Sequence, residues 1–217
     1  MSEHTASLIR KAAPQLQNLA VIPNGVDFSR FSLKAKAAQP LKIIYIGYLI
    51  PHKGVQVLLE ALAILKKEGS VLQLSIVGSG SYLNELKQLR NKLELHDEVQ
   101  FLGEKNAVQV AEILNEHDAM VHPSFIESFG IVLVEALAAG LPVVSTYNGG
   151  AEGIITPSVG ILVKPKSAKA LAEGIKALLA NWESYKPDEL RAYAEQRFSI
   201  TSVASQTIEL YRSILCQ

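Results

Sequence analysis

The sequence predicts one α/β domain, a doubly wound sheet of about six parallel strands with helices on both faces. Three observations predict it. Short β-rich runs alternate with longer helical ones along most of the chain. Most of those runs are continuously apolar rather than alternating, which is how strands read when both faces are covered. The helical stretches between them are long enough to carry the right-handed crossovers that parallel strands need.

In chain order, a helix is expected over Glu3 to Ala13. The strands follow as KIIYIG (42–47), LQLSIVG (72–78), VQFLG (99–103), AMVHPS (119–124), PVVST (142–146) and GILVKP (160–165). In KGVQVLLEALAILKKEG, Val55, Leu58, Leu59, Leu62 and Leu65 recur at helical spacing, and Lys66, Lys67 and Gly69 close the last turn. SYLNELKQLRNKLEL, AVQVAEILNEH, GIVLVEALAAG and SAKALAEGIKALLANW read in the same way, and Lys186-Pro187 interrupts the last helices. No internal repeat or low-complexity segment is found, so the chain reads as one Rossmann-like domain.

Composition narrows the function. Lys plus Arg and Asp plus Glu both number 21, so no broad basic surface argues for nucleic acid. The single cysteine, Cys216, cannot build a disulfide framework or a zinc site within one chain. No apolar run reaches the ~18 residues needed to cross a bilayer. The opening MSEHTASLIRKAAP is too polar for a signal peptide, and a soluble cytoplasmic protein is expected.

In open α/β sheets ligands bind at the carboxyl ends of the strands. Four loops there are chemically unusual: GYLIPHKG (47–54), GSGSYL (78–83), LGEKN (102–106) and PSFIESFG (123–130). GSGSYL fails as a dinucleotide fingerprint, because Leu83 holds the third glycine position and no ribose-binding acid follows Val99–Gly103. It reads as a tight strand-to-helix turn. In GYLIPHKG, Lys53 heads an amphipathic helix beside Gly54. A cation opposes the helix dipole there, unless it and the amides share a bound phosphate; a solvated surface lysine is the alternative.

ESFGIVLVE carries a carboxylate at each end, Glu127 and Glu135. With Ser128 as N-cap, a helix is expected from about Phe129 to Ala139, stopping at Gly140 before Pro142. Glu127 then lies in the loop after a strand and Glu135 about two turns in, with ~12 Å of helical rise between them. That matches the span from a sugar to the ribose of one nucleoside diphosphate. The amides of Phe129, Gly130 and Ile131 would face the diphosphate, and a ribose would satisfy Glu135 among its apolar neighbours. The alternative for Glu135 is a solvated helix face. His122, at a strand end, reads as a hydrogen-bonded histidine packed at the sheet's edge, with a catalytic histidine as the alternative; His52 reads as either a phosphate contact or exposed, and Glu152 as an acceptor for amides of its own loop.

These motifs in this order resemble the C-terminal, donor-binding domain of retaining GT-B glycosyltransferases of the group 1 family. VIPNGVDFSRF (21–31), IGYLIPHKG, LSIVGSG, VQFLGE, HPSFIESFGIVLVEALAAGLPVVST (122–146) and NGGAEGI…VGILVKP (148–165) carry the resemblance, over nearly the whole chain. The most specific element is E-x7-E, Glu127 and Glu135. The resemblance implies a nucleotide-diphosphate sugar donor, with Glu135 on the ribose and Glu127 on the transferred sugar. Lys53 and the amides of Phe129 to Ile131 would meet the leaving diphosphate with Ser128 beside them in the donor site, Gly47 and Tyr48 would lie in the phosphate loop, and the base would lie near Leu102 to Asn106. It implies neither cofactor nor metal, and no D-x-D cluster is present.

Two departures stand out. Tyr48 replaces the arginine usual in the family's G-R-L-x-x-x-K-G loop, and brings neither charge nor a bidentate fork. The chain is also short for a GT-B enzyme. Residues 1–20 are expected to lead from an absent acceptor domain, 21–185 to form the donor domain, and 186–217 to supply its closing helices. The acceptor would be a glycan or a lipid-linked glycan, with membrane association possible for a longer protein. In ITSVASQTIELYRSIL (200–215), Ile208, Tyr211 and Ile214 are expected to form an apolar patch for a second copy or an acceptor-domain chain. A non-catalytic nucleotide-sugar-binding or interaction module is the competing reading.

Overall fold

Six strands form one all-parallel sheet: β1 (Lys42–Ile46), β2 (Gln73–Val77), β3 (Val99–Gly103), β4 (Ala119–His122), β5 (Val143–Thr146) and β6 (Gly160–Val163). Each lies within the run expected for it. The computed structural model describes residues 2–16, 19–33, 35 and 42–215; Cys216 lies outside the described residues.

The order is β3-β2-β1-β4-β5-β6. The chain lays β1 first, builds outward to β3, then crosses to the other side of β1 for β4. The strand order therefore reverses between β1 and β4, and the crevice outside their carboxyl ends is the topological switch point where such sheets hold ligands. Register follows apolar matching: Ile43 and Ile44 of β1 pair with Ala119 and Met120 of β4. These residues, with Tyr45, Val121, Val143 and Val144, are buried on both faces of the sheet. That is the physical origin of the unbroken apolar runs.

The helices are α1 (Glu3–Ala12), α2 (Val55–Lys67), α3 (Leu83–Lys92), α4 (Ala107–Leu114), α5 (Ile131–Ala138), α6 (Ala168–Ala180), α7 (Pro187–Phe198) and α8 (Ile200–Leu215). Their ends have local causes. Asn106 and Gln109 make a capping box at α4, the Ser167 hydroxyl caps α6, and Pro187 opens α7 as the interrupted pattern required. All five residues expected on the inner stripe of α2 are buried. Each such leucine contributes about 1.5–3 kcal/mol over exposure to water. Burial spreads to Val57 and Ala61 because α2 also packs against α6.

Residues 26–31 are tied to the far end of the chain. The Arg191 guanidinium donates to the carbonyls of Phe28 (2.8 Å) and Phe31 (2.6 Å), and Val26 bridges to Ser199. Helix α1 packs on the same body, with Ala6 fully buried and the Thr5 hydroxyl donating to the Ser128 carbonyl at 3.5 Å. Helix α8 differs from the others in that none of its residues is buried, and Ile208, Tyr211 and Ile214 are 50%, 62% and 58% exposed.

One expected boundary is corrected. The helix of the opening acidic segment starts at Ile131 and ends at Ala138, not at Phe129 and Ala139, and its N-cap is Gly130, not Ser128. Gly130 adopts φ 88°, a left-handed conformation that a serine cap does not use. Only residues 131–135 then rise as helix between the two acids, about 6 Å instead of ~12 Å.

Candidate functional site

The loops after β1 and β4 meet at the switch point because one glycine lets them. Gly54 sits at φ 74°, and a Cβ there would lie 2.1 Å from the Pro123 carbonyl oxygen. The two loops are also laced by the Phe125 amide, which donates to the His52 carbonyl at 2.8 Å. This contact sets the short turn Pro51–Lys53 beside the segment that carries Glu127.

Lys53 and Glu127 consequently pair, Nζ to Oε1 at 2.5 Å, with side chains only 16% and 12% exposed. His122, the last residue of β4, places Nε2 at 2.8 Å from the same oxygen. Burial works to raise the Glu127 pKa. The hydrogen bonds and charges of His122 and Lys53 outweigh it and hold the carboxyl at about 2. The Glu127 amide donates to the Asn148 carbonyl (2.9 Å), fixing the backbone as well.

These groups line a cavity of about 400 Å³. Gly47 and Tyr48 form its β1 side, and Ser128, Phe129, Gly130 and Ile131 its α5 side. Leu133 is the first α5 amide to bond back, onto Gly130, so the amides of Ile131 and Val132 lack intrahelical acceptors beside the cavity. The sequence reading placed most of these residues together. Leu102 is the exception, packing at the margin of the core while Glu104 and Lys105 of its loop line the cavity. Glu135 also stands outside the lining, one helical turn deeper.

Glu135 is half-buried, not on a solvated face. Burial raises its pKa, and the nearby charge of Arg30 pulls the other way. Arg30 itself donates to the Ala107 carbonyl at the head of α4 (2.7 Å). Sequence reasoning did not single out Arg30, Asn24 or Ser79, and it gave Glu104 and Lys105 only as part of the loop expected near the base. Asn24 and Arg30 both lay within the quoted VIPNGVDFSRF, and Ser79 within the rejected GSGSYL. His52 is exposed and outside the cavity lining, and Glu152 accepts from the Asn148 and Gly149 amides as expected. Among the described residues no group of three or more His, Cys, Asp or Glu could hold a metal ion. No described helix is long and apolar enough to cross a membrane.

An all-parallel doubly wound domain with its polar cluster at the switch point defines the Rossmann-like class that makes up one half of GT-B proteins. The family described as glycosyl transferases, group 1, matches residues 28–197, and the chain belongs to that family. An uncharacterised glycosyltransferase of Methanocaldococcus jannaschii is 33% identical over 174 residues, covering 78% of this chain and 44% of that protein. The glycogen synthase of Mycobacterium tuberculosis is 30% identical over 206 residues, covering 91% and 49%. Among solved structures, HepE of Anabaena in complex with UDP-glucose superimposes with a TM-score of 0.85 at 26% identity, covering 98% of this chain and 62% of that one. The chain spans about half the length of the curated relatives it matches.

Proposed function

We propose that this domain binds a nucleotide-diphosphate sugar and serves the transfer of that sugar, with retention and without a metal, to a glycan or lipid-linked acceptor at the cytoplasmic side. The observation that carries the reading is the Lys53–Glu127 pair at the switch point, beside the free amides of α5. A buried cation next to a helix N-terminus suits a diphosphate, and a buried carboxylate suits sugar hydroxyls. As the bond from the anomeric carbon to the diphosphate oxygen breaks, that oxygen keeps the electron pair. Lys53 and the amides meet its charge, Glu127 steadies the positive carbon, and the acceptor hydroxyl forms the new bond through its oxygen as its proton passes to the departing diphosphate. Glu135 would take the ribose hydroxyls, which gives its costly burial a purpose.

The Leu102–Asn106 loop, through Glu104 and Lys105, would meet the base. UDP is the first candidate nucleotide, since HepE, the structural relative named above, was solved with UDP-glucose. The acceptor would be held by a further domain of the kind the longer relatives have room for, reached through residues 1–20. A second copy or an acceptor-domain chain on the exposed face of α8 is the other partner the reading allows.

Tyr48 favours a second reading, a module that binds the nucleotide sugar without turning it over. It is 69% exposed and offers the phosphate no charge where the family commonly has arginine. Calorimetric titration with UDP-, GDP- and ADP-sugars, on the wild type and on Glu135→Ala, tests both. Saturable binding of one nucleotide class, weakened at least tenfold in the variant (about 1.4 kcal/mol), is expected. Slow hydrolysis of the bound donor separates the enzyme from the module. No binding by folded wild type would overturn both readings.

A further inference from the structure

We propose that His122 is a positioning residue for Glu127: it fixes which carboxylate oxygen is presented, and it keeps Glu127 in place when a ligand phosphate competes for Lys53. The inference rests on the nucleotide-sugar reading for its ligand, but its geometry stands independently.

Two donors converge on one atom. Lys53 Nζ and His122 Nε2 both lie within hydrogen-bond distance of Glu127 Oε1. An ionised carboxylate only accepts, so the proton of the His122 contact is on Nε2. His122 Nδ1 is buried and has no hydrogen-bond partner among the described residues, so nothing there competes for the ring's orientation. With Oε1 doubly occupied, Oε2 is the oxygen left to the cavity that Glu127 lines.

The two donors differ in how firmly they are held. The Lys53 ammonium rides on a four-carbon stem from a short turn and can redirect one of its three N–H groups toward a phosphate. The His122 ring cannot leave. Its side chain is 2% exposed, and it stacks on the Tyr45 ring at 5.9 Å with planes 8° apart. Tyr45 is itself fully buried and pinned by its hydroxyl, which donates to the Tyr48 carbonyl at 3.0 Å. The His122 carbonyl accepts from the Ser145 hydroxyl at 2.9 Å, so the backbone is held too. A diphosphate drawing on Lys53 would leave Glu127 one fixed donor, and that donor is His122. The same stack connects the loop after β1 to the glutamate, so the phosphate side and the sugar side of the cavity share one rigid support.

Two substitutions separate holding from packing. His122→Phe keeps a ring on Tyr45 and removes the donor, whereas His122→Gln keeps an amide donor near the Nε2 position and loses the stack. Each is first shown to be folded by thermal unfolding, then titrated with UDP and with UDP-glucose, or the nucleotide pair that the titration above selects. The expected result is that His122→Phe loses at least about tenfold more affinity for the nucleotide sugar than for the nucleotide, while His122→Gln stays within about threefold of wild type for both. Equal losses for the two ligands, or a phenylalanine variant that matches wild type while the glutamine variant falls, would reduce His122 to packing and overturn the proposal. A second readout needs no ligand: 15N spectra of the histidine side chains should show His122 protonated at Nε2. A bare Nε2 overturns the proposal whatever the titrations show. Failure of the wild type to bind any nucleotide sugar would instead overturn the donor-site reading, and the Nε2 proton would then decide His122 alone.

Discussion

Glu127 and Glu135 are the same residue type at the two ends of one nine-residue stretch, yet the protein treats them in opposite ways. Glu127 is half-buried and compensated: Lys53 and His122 hold its carboxyl at about 2 against the burial that would raise it. Glu135 is half-buried with only the charge of Arg30 opposing burial, and its pKa moves up. The difference separates the two carboxylates that the proposed function assigns to the donor. One is oriented in advance by its own protein, as the proposed meeting with a developing charge would require. The other has its desolvation least offset by the protein, so a pair of ligand hydroxyls has most to offer it.

The largest expected effect breaks the first half of that comparison. Lys53→Met removes one partner of a buried pair and should destabilise the domain by about 3 kcal/mol, because Glu127 keeps its charge in the interior. Adding Glu127→Gln removes that stranded charge, so the double variant should be more stable than Lys53→Met alone. Denaturant unfolding of the four members of the cycle measures it. Additive losses would mean that Lys53 and Glu127 do not depend on each other.

Acid unfolding is expected to report the same pair. The Glu127 pKa is depressed in the folded state, from 4.5 to about 2, so its contribution to stability is fully present above about 4.5 and is lost as pH falls toward 2. Glu127→Gln should flatten the stability curve in that window and leave it unchanged near neutrality in slope. A curve of equal steepness in wild type and variant would remove Glu127 as its source.

The parts of this site that were legible in the sequence are those encoded locally. The apolar runs marked the strands most plainly at β1, β4 and β5, which are covered on both faces, and Lys53 stood out because a cation at a helix head is electrostatically odd. The pairing of Lys53 with Glu127 was not legible from spacing, since 74 residues separate them. It follows only from the sheet order, which puts β4 next to β1. The start of α5 was misplaced because serine is the commoner cap by composition, whereas a left-handed Gly130 cap depends on how the loop meets the cavity. His122 was legible as a strand-end histidine, packed or catalytic, but its hydrogen bond to Glu127 was not, because the fold of the loop after β4 sets it.

Glu135→Gln tests the second half of the comparison with a smaller effect and two signs. A carboxyl whose folded pKa is raised disfavours folding once pH exceeds its unfolded value. Removing the charge should therefore raise stability at neutral pH, measured by urea unfolding, while weakening nucleotide binding about tenfold, or 1.4 kcal/mol. Stability and binding moving in the same direction would contradict the assignment of Glu135 as a carboxylate held for a ligand.

The smallest effect concerns Arg30, which sequence reasoning did not single out. Its guanidinium serves two neighbours: Nη2 donates to the Ala107 carbonyl at 2.7 Å, and its charge opposes the burial of Glu135. Arg30→Leu removes both. Glu135 then keeps its desolvation and loses the opposing charge, so its pKa should rise further above the ordinary glutamate value, read by NMR titration of its side-chain carboxyl carbon. The carboxyl of Glu127 should not move in the same experiment, because its causes are Lys53 and His122 rather than Arg30. If both titrations shift together, the two ends of the segment share one electrostatic environment, and the contrast between them is not the basis of the site. If only Glu135 moves, Arg30 links the carboxylate proposed for the ribose to the loop proposed for the base, and a substitution there should change which nucleotide is preferred more than how the sugar is held.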